Sequence, residues 1–155
     1  HGAAFAAGCQ LVASCDLAYA TKSAKFATPG VNIGLFCSTP MVALSRSVSN
    51  KQSMEMLLTG ELISSEKAKQ IGLINECVED NQLQNFVTKI AGKITNKSSL
   101  TLKIGKEAFY RQVDMTLSDA YDYASNVMVE NMLKEDAEEG INAFIEKRKP
   151  SWKDK

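Results

Sequence analysis

The first half of the chain alternates between helical and extended hydrophobic patterns. After Gly2, the segment AAFAAGCQLVASCD places Phe5, Cys9 and Val12 at helical spacing and predicts a buried helix that ends near Asp16. The segments LAYAT and KFATP flank a Lys-Ser-Ala-Lys turn and have the composition of short strands, and VNIG continues as a further extended piece. This order of elements predicts a mixed α/β arrangement.

Helical periodicity dominates the chain from Thr39 onward. Pro40 after Thr39 and the later Asn50 are typical of helix starts, and Gly60 and Gly72 are typical of helix ends. The apolar segment LINECVE that follows predicts one more strand. Four further helices are predicted over residues 81–96, 99–113, 117–136 and 138–147.

The predicted strands all lie in residues 1–80, whereas residues 81–155 are almost wholly helical. A sheet of only two or three short strands would be poorly covered. We therefore expect the chain to be a fragment whose sheet is completed by strands outside it. Its start at His1, with neither an initiator Met nor a targeting peptide, agrees with this interpretation.

Composition and charge restrict the class of function. The 155 residues are 45% hydrophobic and 23% charged, which is typical of a single globular domain. Lys and Arg number 18 against 18 Asp and Glu, so the formal net charge is zero and no general attraction to nucleic acid or anionic lipid follows. No apolar run is long enough to span a bilayer. We therefore expect neither nucleic-acid nor membrane partners.

The chain has four cysteines: Cys9, Cys15, Cys37 and Cys77. They form no C-x-x-C pair, so neither a zinc site nor a thioredoxin-type motif is predicted. Cys9 and Cys15 lie in the apolar first segment and are predicted to be buried in a reduced protein. A nucleophilic Cys37 or Ser38 would need His1, the sole imidazole, as its base.

Four segments in order resemble the enoyl-CoA hydratase/isomerase (crotonase) superfamily: HGAAFAAGCQLVASCDLAYAT, KFATPGVNIGLF, MEMLLTGELISSEKAKQIGLINECV and INAFIEKRKP. The resemblance implies an α/β fold, with the C-terminal part of the family's ββα spiral over residues 1–80. An all-helical trimerisation segment would follow over residues 81–155. The N-terminal portion, with a second oxyanion-hole donor and much of the coenzyme A pocket, would lie outside the chain.

The resemblance also implies a thioester-polarising site. In the family, two backbone N–H groups hold the acyl thioester oxygen, and one belongs to the middle residue of a glycine triplet at a helix N-terminus. The triplet here is Ala6-Ala7-Gly8, which makes the Ala7 N–H the candidate donor at the positive end of the helix dipole. The alternative is that these small residues only allow close helix packing.

The family's two proton-transfer positions carry no carboxylate in this chain. The glutamates that hydratases use align with Gln10 and Gly30. A glutamine amide does not transfer protons near neutral pH, and glycine has no side chain. Nearby Asp16, Glu61 and Glu66 are interpreted as capping or solvated residues. Hydration by the family's usual route is therefore not expected.

Two positions near the C-terminus match residues that contact coenzyme A in the family. Phe144 would pack beside the adenine ring, and Lys147 would lie three residues on along the same helix, near a phosphate. The alternative places Phe144 in the core and Lys147 in solvent. No permanently bound cofactor and no metal is expected, since a coenzyme A thioester would be the substrate or ligand.

The sequence leaves three functions open. The first is an acyl-CoA-binding protein of fatty-acid metabolism that does not hydrate enoyl-CoA in the usual way. The second is an active hydratase or isomerase whose acid comes from the missing N-terminal portion. The third is a non-enzymatic trimeric scaffold that binds acyl-CoA as a regulatory ligand or binds nothing. The resemblance further implies a mitochondrial location and a homotrimer or dimer of trimers. The stripe of Tyr121, Met128, Met132 and Leu133 would supply the contacts.

Overall fold

The computed structural model describes residues 1–155, which form two compact units: a first unit of residues 1–89 and a second unit of residues 90–155. The elements of the first unit are β1 (Ala3–Phe5), α1 (Ala7–Ser14), β2 (Tyr19–Thr21), β3 (Lys25–Ala27), a 3₁₀ helix (Pro29–Ile33), α2 (Ser38–Ser47), α3 (Asn50–Thr59), β4 (Ile63–Ser64), α4 (Ser65–Gln70) and β5 (Glu76–Val78). Helix α5 (Leu83–Thr95) crosses the division, and the second unit continues with α6 (Ser99–Gln112), α7 (Leu117–Met132) and α8 (Glu135–Ile145). None of these helices combines the length and hydropathy needed to span a membrane.

The strands of the first unit form two small sheets. In one sheet β3 lies between β1, to which it is parallel, and β4, to which it is antiparallel. In the other sheet β2 pairs in parallel with β5. Parallel pairing requires long crossover connections, and helices supply them here. The mixed α/β prediction is therefore confirmed, and after Val78 the chain contains only helices.

The core of the first unit lies between these sheets and the helices around them. Phe26 of β3, Leu44 of α2 and Leu57 of α3 are all buried, as is Cys9 of α1. Buried hydroxyls tie the layers together, since Thr28 Oγ1 donates a hydrogen bond of 2.9 Å to the carbonyl of Met56. This hydrogen bond holds α3 against the end of β3, next to the 3₁₀ helix.

The predicted first helix is too long and too buried. Ala3–Phe5 is the strand β1, because it pairs with β3 before the helix begins. Leu11 is 67% exposed in this chain and Cys15 is exposed as well, so the prediction that Cys15 is buried is wrong. Only one face of α1 packs on the core, where Cys9 is buried and Val12 packs against the core cluster.

Two other local predictions also need correction. The VNIG segment is helical rather than extended, because Pro29 begins a 3₁₀ helix and Gly34, with φ of 79°, ends it in the left-handed conformation. Ser49, rather than Asn50, is the N-cap of α3, and its side chain accepts a hydrogen bond from the Gln52 N–H. Gly60 ends α3 as predicted, with φ of 62°.

The second unit is held together by its own C-terminal segment. Asp136, 2% exposed in α8, accepts hydrogen bonds from the backbone N–H groups of Lys153 at 2.7 Å and Asp154 at 3.1 Å. The Ser98 hydroxyl and these N–H groups hold the pKa of Asp136 below its usual value. Trp152 Nε1 donates to the carbonyl of Asn96 at 2.9 Å. The last residues of the chain therefore connect α8 to the start of α6.

A bidentate ion pair predicts a pH dependence for this unit. Arg148 donates from Nη1 and Nη2 to the two carboxylate oxygens of Glu139, at 2.6 and 2.8 Å. This hydrogen bonding, followed by that from the Ser151 N–H, lowers the pKa of Glu139 from 4.5 to about 2. Because the pKa of Glu139 is lower in the folded than in the unfolded state, its ionised carboxylate stabilises the folded state fully above pH 4.5. This stabilisation is lost as the pH falls towards 2 and Glu139 becomes protonated.

We expect Arg148→Gln to lower the thermal midpoint at pH 6 and to lower it much less at pH 2, where the unmodified protein has itself lost much of the ion pair because Glu139 is about half protonated. Thermal unfolding followed by circular dichroism at the two pH values measures the difference. Arg111→Gln is the matched control, because the Arg111 guanidinium lies over the Tyr123 ring and contacts no carboxylate there. An Arg148→Gln deficit of equal size at both pH values would contradict the role of Glu139.

Candidate active site

The turn between β1 and α1 is strained at Ala6. Its φ of 47° and ψ of −111° lie in a region that residues with a Cβ rarely adopt. Two backbone hydrogen bonds hold the turn, because the Ala6 N–H donates to Ala27 at the end of β3 and the Ala6 carbonyl accepts from the Gln10 N–H, both at 3.0 Å. Strain that the surroundings enforce in this way is typical of functional sites.

This turn places Ala7 as the first residue of α1, and Ala7 is exposed there. The first N–H groups of a helix have no acceptor within the helix, and they lie at the positive end of its dipole. The Ala7 N–H is therefore available to an external acceptor such as a thioester oxygen. The methyl group of Ala7 does not obstruct the helix start, since α1 forms normally from this residue.

Close packing does not explain why the third position of the triplet is Gly8. A Cβ built on Gly8 would lie 3.8 Å from the Cβ of Ala4, which is ordinary van der Waals contact. Alanine would therefore fit at this position. The observation weakens the alternative that Ala6-Ala7-Gly8 serves only to let α1 approach its neighbours.

Gln10 and Gly30 differ in how they replace a carboxylate. Gln10 lies half-buried on α1, three residues after Ala7 and so on the same side of the helix. Gly30 lies in the 3₁₀ helix, and a Cβ there would be 2.4 Å from the carbonyl oxygen of Leu35 and 2.9 Å from Cys37 Sγ. The Leu35 N–H also donates to the Gly30 carbonyl at 2.9 Å. The following loop therefore fills the space that a side chain at position 30 would need.

The cysteines beside this site do not form an activated nucleophile. Burial, and then the neighbouring Cys37, raises the pKa of the Cys9 thiol to about 11, so Cys9 stays protonated at neutral pH. Cys37 is itself buried at the start of α2. His1 is exposed at the beginning of the chain, and no hydrogen bond joins its imidazole to Cys37 or to Ser38.

Glu66 serves its own helix rather than the site. It lies in the first turn of α4, where hydrogen bonds with its own backbone and with the Ser64 hydroxyl lower its pKa. Ser64 is the N-cap of the same helix. This arrangement is the capping role that the sequence predicts for Glu66.

In the second unit, Phe144 and Lys147 do not share a helix as predicted. Phe144 is 85% exposed on α8, so it is not a core residue of this chain. Helix α8 ends at Ile145, and Lys147 follows it with φ of 54°. The Arg148 N–H donates to Ala143 at 3.0 Å across this end, as in a Schellman motif in which Lys147 takes the position usually held by glycine. Lys147 is therefore held in a conformation that a helix would not give it.

Phe144 lines a cavity of about 460 Å³ inside the second unit. Trp152, Lys97 and Asn131 contribute to the same wall, and Asn131 Oδ1 is buried with no hydrogen-bond partner. Aromatic rings beside an unpaired acceptor and an ammonium suit a planar, partly polar group. No motif in the sequence indicated Asn131 or Trp152, because the chain brings them together only through the fold.

The sequence profile of the enoyl-CoA hydratase/isomerase family matches residues 1–155. Over 152 residues the chain is 53% identical to the enoyl-CoA hydratase domain-containing protein 3 of Rattus norvegicus, which is named mitochondrial, and the match covers 98% of this chain and 51% of that protein. It is 34% identical over 155 residues to the mitochondrial enoyl-CoA hydratase of Pongo abelii, covering 99% of this chain and 53% of that protein. The chain thus spans about half the length of these relatives.

Solved structures give the same relationship. An enoyl-CoA hydratase from Mycobacterium smegmatis superposes with a TM-score of 0.96 at 49% identity, over 98% of this chain and 59% of that one. The human enoyl-CoA hydratase domain-containing protein 3 superposes with a TM-score of 0.95 at 51% identity, over 97% of this chain and 60% of that one. The chain therefore has a crotonase-like fold and belongs to the enoyl-CoA hydratase/isomerase family.

Proposed function

We propose that the protein containing this chain binds acyl-CoA thioesters in fatty-acid metabolism and polarises the thioester carbonyl with the Ala7 N–H. The observation that carries the proposal is the strained Ala6 turn, which leaves an exposed, unpaired N–H at the start of α1. A fixed donor at the positive end of a helix stabilises the negative charge that develops on a thioester oxygen. Family membership supplies the substrate class.

Hydration by two glutamates is not part of this function. Adding water across a double bond requires one group to remove a proton from the water and another to deliver a proton to carbon. Gln10 offers neither step, and the loop carbonyl of Leu35 excludes a side chain at Gly30. Polarisation alone is enough to assist thioester chemistry that needs no acid at these positions, such as hydrolysis.

Coenzyme A contacts in this proposal come from the second unit. The exposed ring of Phe144 provides a face for the adenine, and the Lys147 ammonium provides a charge for a phosphate. Along the chain before α8, α7 exposes Tyr121, Met128 and Met132, and Leu133 is exposed at its C-terminal end, which supports assembly as a homotrimer or dimer of trimers. A mitochondrial location follows from the relatives that carry that name.

The test uses the full-length protein and crotonyl-CoA. We expect calorimetry to show binding and mass spectrometry to detect no 3-hydroxybutyryl-CoA, because neither of the family's proton-transfer positions carries a carboxylate. We expect Phe144→Ala to weaken binding about tenfold, the loss of one stacked ring. Phe109→Ala is the matched control, because that ring is also exposed (58%) but lies on α6.

Two outcomes would contradict the proposal in different ways. Hydration of crotonyl-CoA at an ordinary enzymic rate would show that another acid replaces the two glutamates, which is the hydratase function that relatives at 34% identity carry in their names. Absence of any coenzyme A binding would favour the non-enzymatic scaffold. Equal effects of Phe144→Ala and Phe109→Ala would remove Phe144 from the binding site.

A further inference from the structure

A separate cavity of about 320 Å³ lies between α2 and α3 in the first unit. This volume is at the lower end of the range for small-molecule sites. Its lining includes neither the Ala7 turn nor Gly30, and no motif in the sequence indicates it. The cavity combines an apolar wall with four polar residues, Ser45 and Arg46 of α2 and Asn50 and Ser53 of α3.

Ser53 is the unusual member of this lining. It is 3% exposed, and its hydroxyl oxygen is buried without a hydrogen-bond partner. A buried hydroxyl without a partner is unfavourable, so native structures seldom keep one without a reason. The Ser53 N–H already donates to Ser49 at 2.9 Å within α3, so the hydroxyl is the only donor of this residue that lacks an acceptor.

Arg46 gives the cavity a positive charge. It lies in the last turn of α2 and uses Nη1 to donate to the carbonyl of Val42 at 3.1 Å. A guanidinium carries several N–H donors in a rigid plane, so this bond leaves the rest of the fork for an anion. The bond to Val42 also holds the guanidinium close to the helix that forms the cavity wall.

The N-terminus of α3 adds to the positive potential that Arg46 creates in the cavity. The helix has ten residues, and Asn50, its first residue, lines the cavity. Its unpaired N–H groups and dipole favour an anion at this end. The positive helix end, the Arg46 guanidinium and the Ser53 hydroxyl thus all favour a negatively charged oxygen.

The apolar wall determines the rest of the ligand. Met41 and Val42 of α2 and Leu57 of α3 line the cavity beside the polar groups. A small inorganic anion would leave this surface wet, whereas an alkyl chain would cover it. We propose that the cavity between α2 and α3 binds a short-chain carboxylate, with its carboxylate at Arg46 and Ser53 and its chain against Met41 and Leu57.

The test is calorimetric titration of the full-length protein with hexanoate, hexanol and acetate. We expect hexanoate to bind at least about tenfold more tightly than either of the others, because only hexanoate has both the charge and the chain. Arg46→Gln should weaken hexanoate binding about tenfold or more. Lys51→Gln is the matched control, since it removes a charge from the exposed side of α3 outside the cavity lining and should leave binding unchanged.

Ser53→Ala gives a second, independent variant. It should weaken hexanoate binding about fivefold, while the thermal midpoint of the ligand-free protein stays the same or rises because an unpaired hydroxyl is removed. Equal affinity for hexanol and hexanoate would overturn the carboxylate, and equal effects of Arg46→Gln and Lys51→Gln would overturn the site. Failure of the folded full-length protein to bind hexanoate at millimolar concentration would overturn the proposal as a whole.

Discussion

Replacing Gly30 with alanine in the full-length protein should lower the free energy of unfolding by about 3 kcal/mol, the upper part of the range for overpacking. The added Cβ would lie 2.4 Å from the carbonyl oxygen of Leu35, a backbone atom that also belongs to a hydrogen-bonded turn. A flexible side chain could move away at little cost, but here the loop itself must shift. Urea unfolding measures the loss through the change in midpoint at constant slope.

Gly105→Ala is the control for this substitution. Gly105 lies inside α6, and nothing lies within 4 Å of a Cβ built there. Alanine should therefore stabilise that helix by about 0.5 to 1 kcal/mol, the usual difference in helix propensity. If Gly30→Ala were as stable as the unmodified protein, the loop would be able to accept a side chain at position 30, and the closed site would be contradicted.

Because the loop fills the space beside Gly30, the two glutamates cannot both be restored by simple substitution. Gly30→Glu would meet the same carbonyl as Gly30→Ala before its carboxylate could reach the site. Gln10→Glu faces no such barrier, because Gln10 already has a side chain of the same length. One of the two carboxylates can therefore be restored by a single substitution, and the other requires the loop to be rebuilt.

In the thioester hydrolysis that the proposed function allows, removing the Ala7 N–H should slow release of free thiol from butyryl-CoA by about 100- to 1,000-fold, the usual effect of losing one oxyanion-hole donor. Replacing Ala7 with lactic acid exchanges the amide for an ester, which deletes this N–H and also weakens the Ala6 carbonyl as the acceptor for the Gln10 N–H. Release of free thiol measures the rate. The methyl group at position 7 is retained in the exchange.

The same ester at Ala120 is the matched control. Ala120 lies near the start of α7, and its N–H donates to the Thr116 carbonyl at 2.9 Å. Its loss should cost some stability of the second unit and leave the rate unchanged. Hydrolysis at the unmodified rate by the Ala7 ester would remove Ala7 from the thioester site.

The elements with strong periodicity or clear end signals were predictable from the sequence. Gly60 and Gly72 end their helices or turns with positive φ, and the period of the later segments gives α5 to α7. The strands β1 and β4 were not predictable, because three and two residues carry too little pattern to be distinguished from the helices beside them. Their pairing with β3 depends on contacts between distant segments.

The candidate site likewise has features that the sequence predicts and features that only the structure shows. Ala7, Gln10 and Gly30 could be identified by resemblance, since each is part of a continuous motif. The strain at Ala6 and the Leu35 carbonyl over Gly30 could not, because backbone angles and loop placement leave no residue signature. Lys147 shows the limit of helical spacing, since the three residues between it and Phe144 suggested one helix face, whereas the helix ends at Ile145.

The most direct test of the account is the carbonyl stretching frequency of ¹³C-labelled butyryl-CoA bound to the full-length protein, measured by infrared difference spectroscopy. Polarisation by the Ala7 N–H predicts a lower frequency on binding than in water, and partial reversal of that shift when Ala7 is replaced by lactic acid. A bound thioester whose frequency equals that in water, or a shift that the Ala7 ester leaves unchanged, would contradict the central claim.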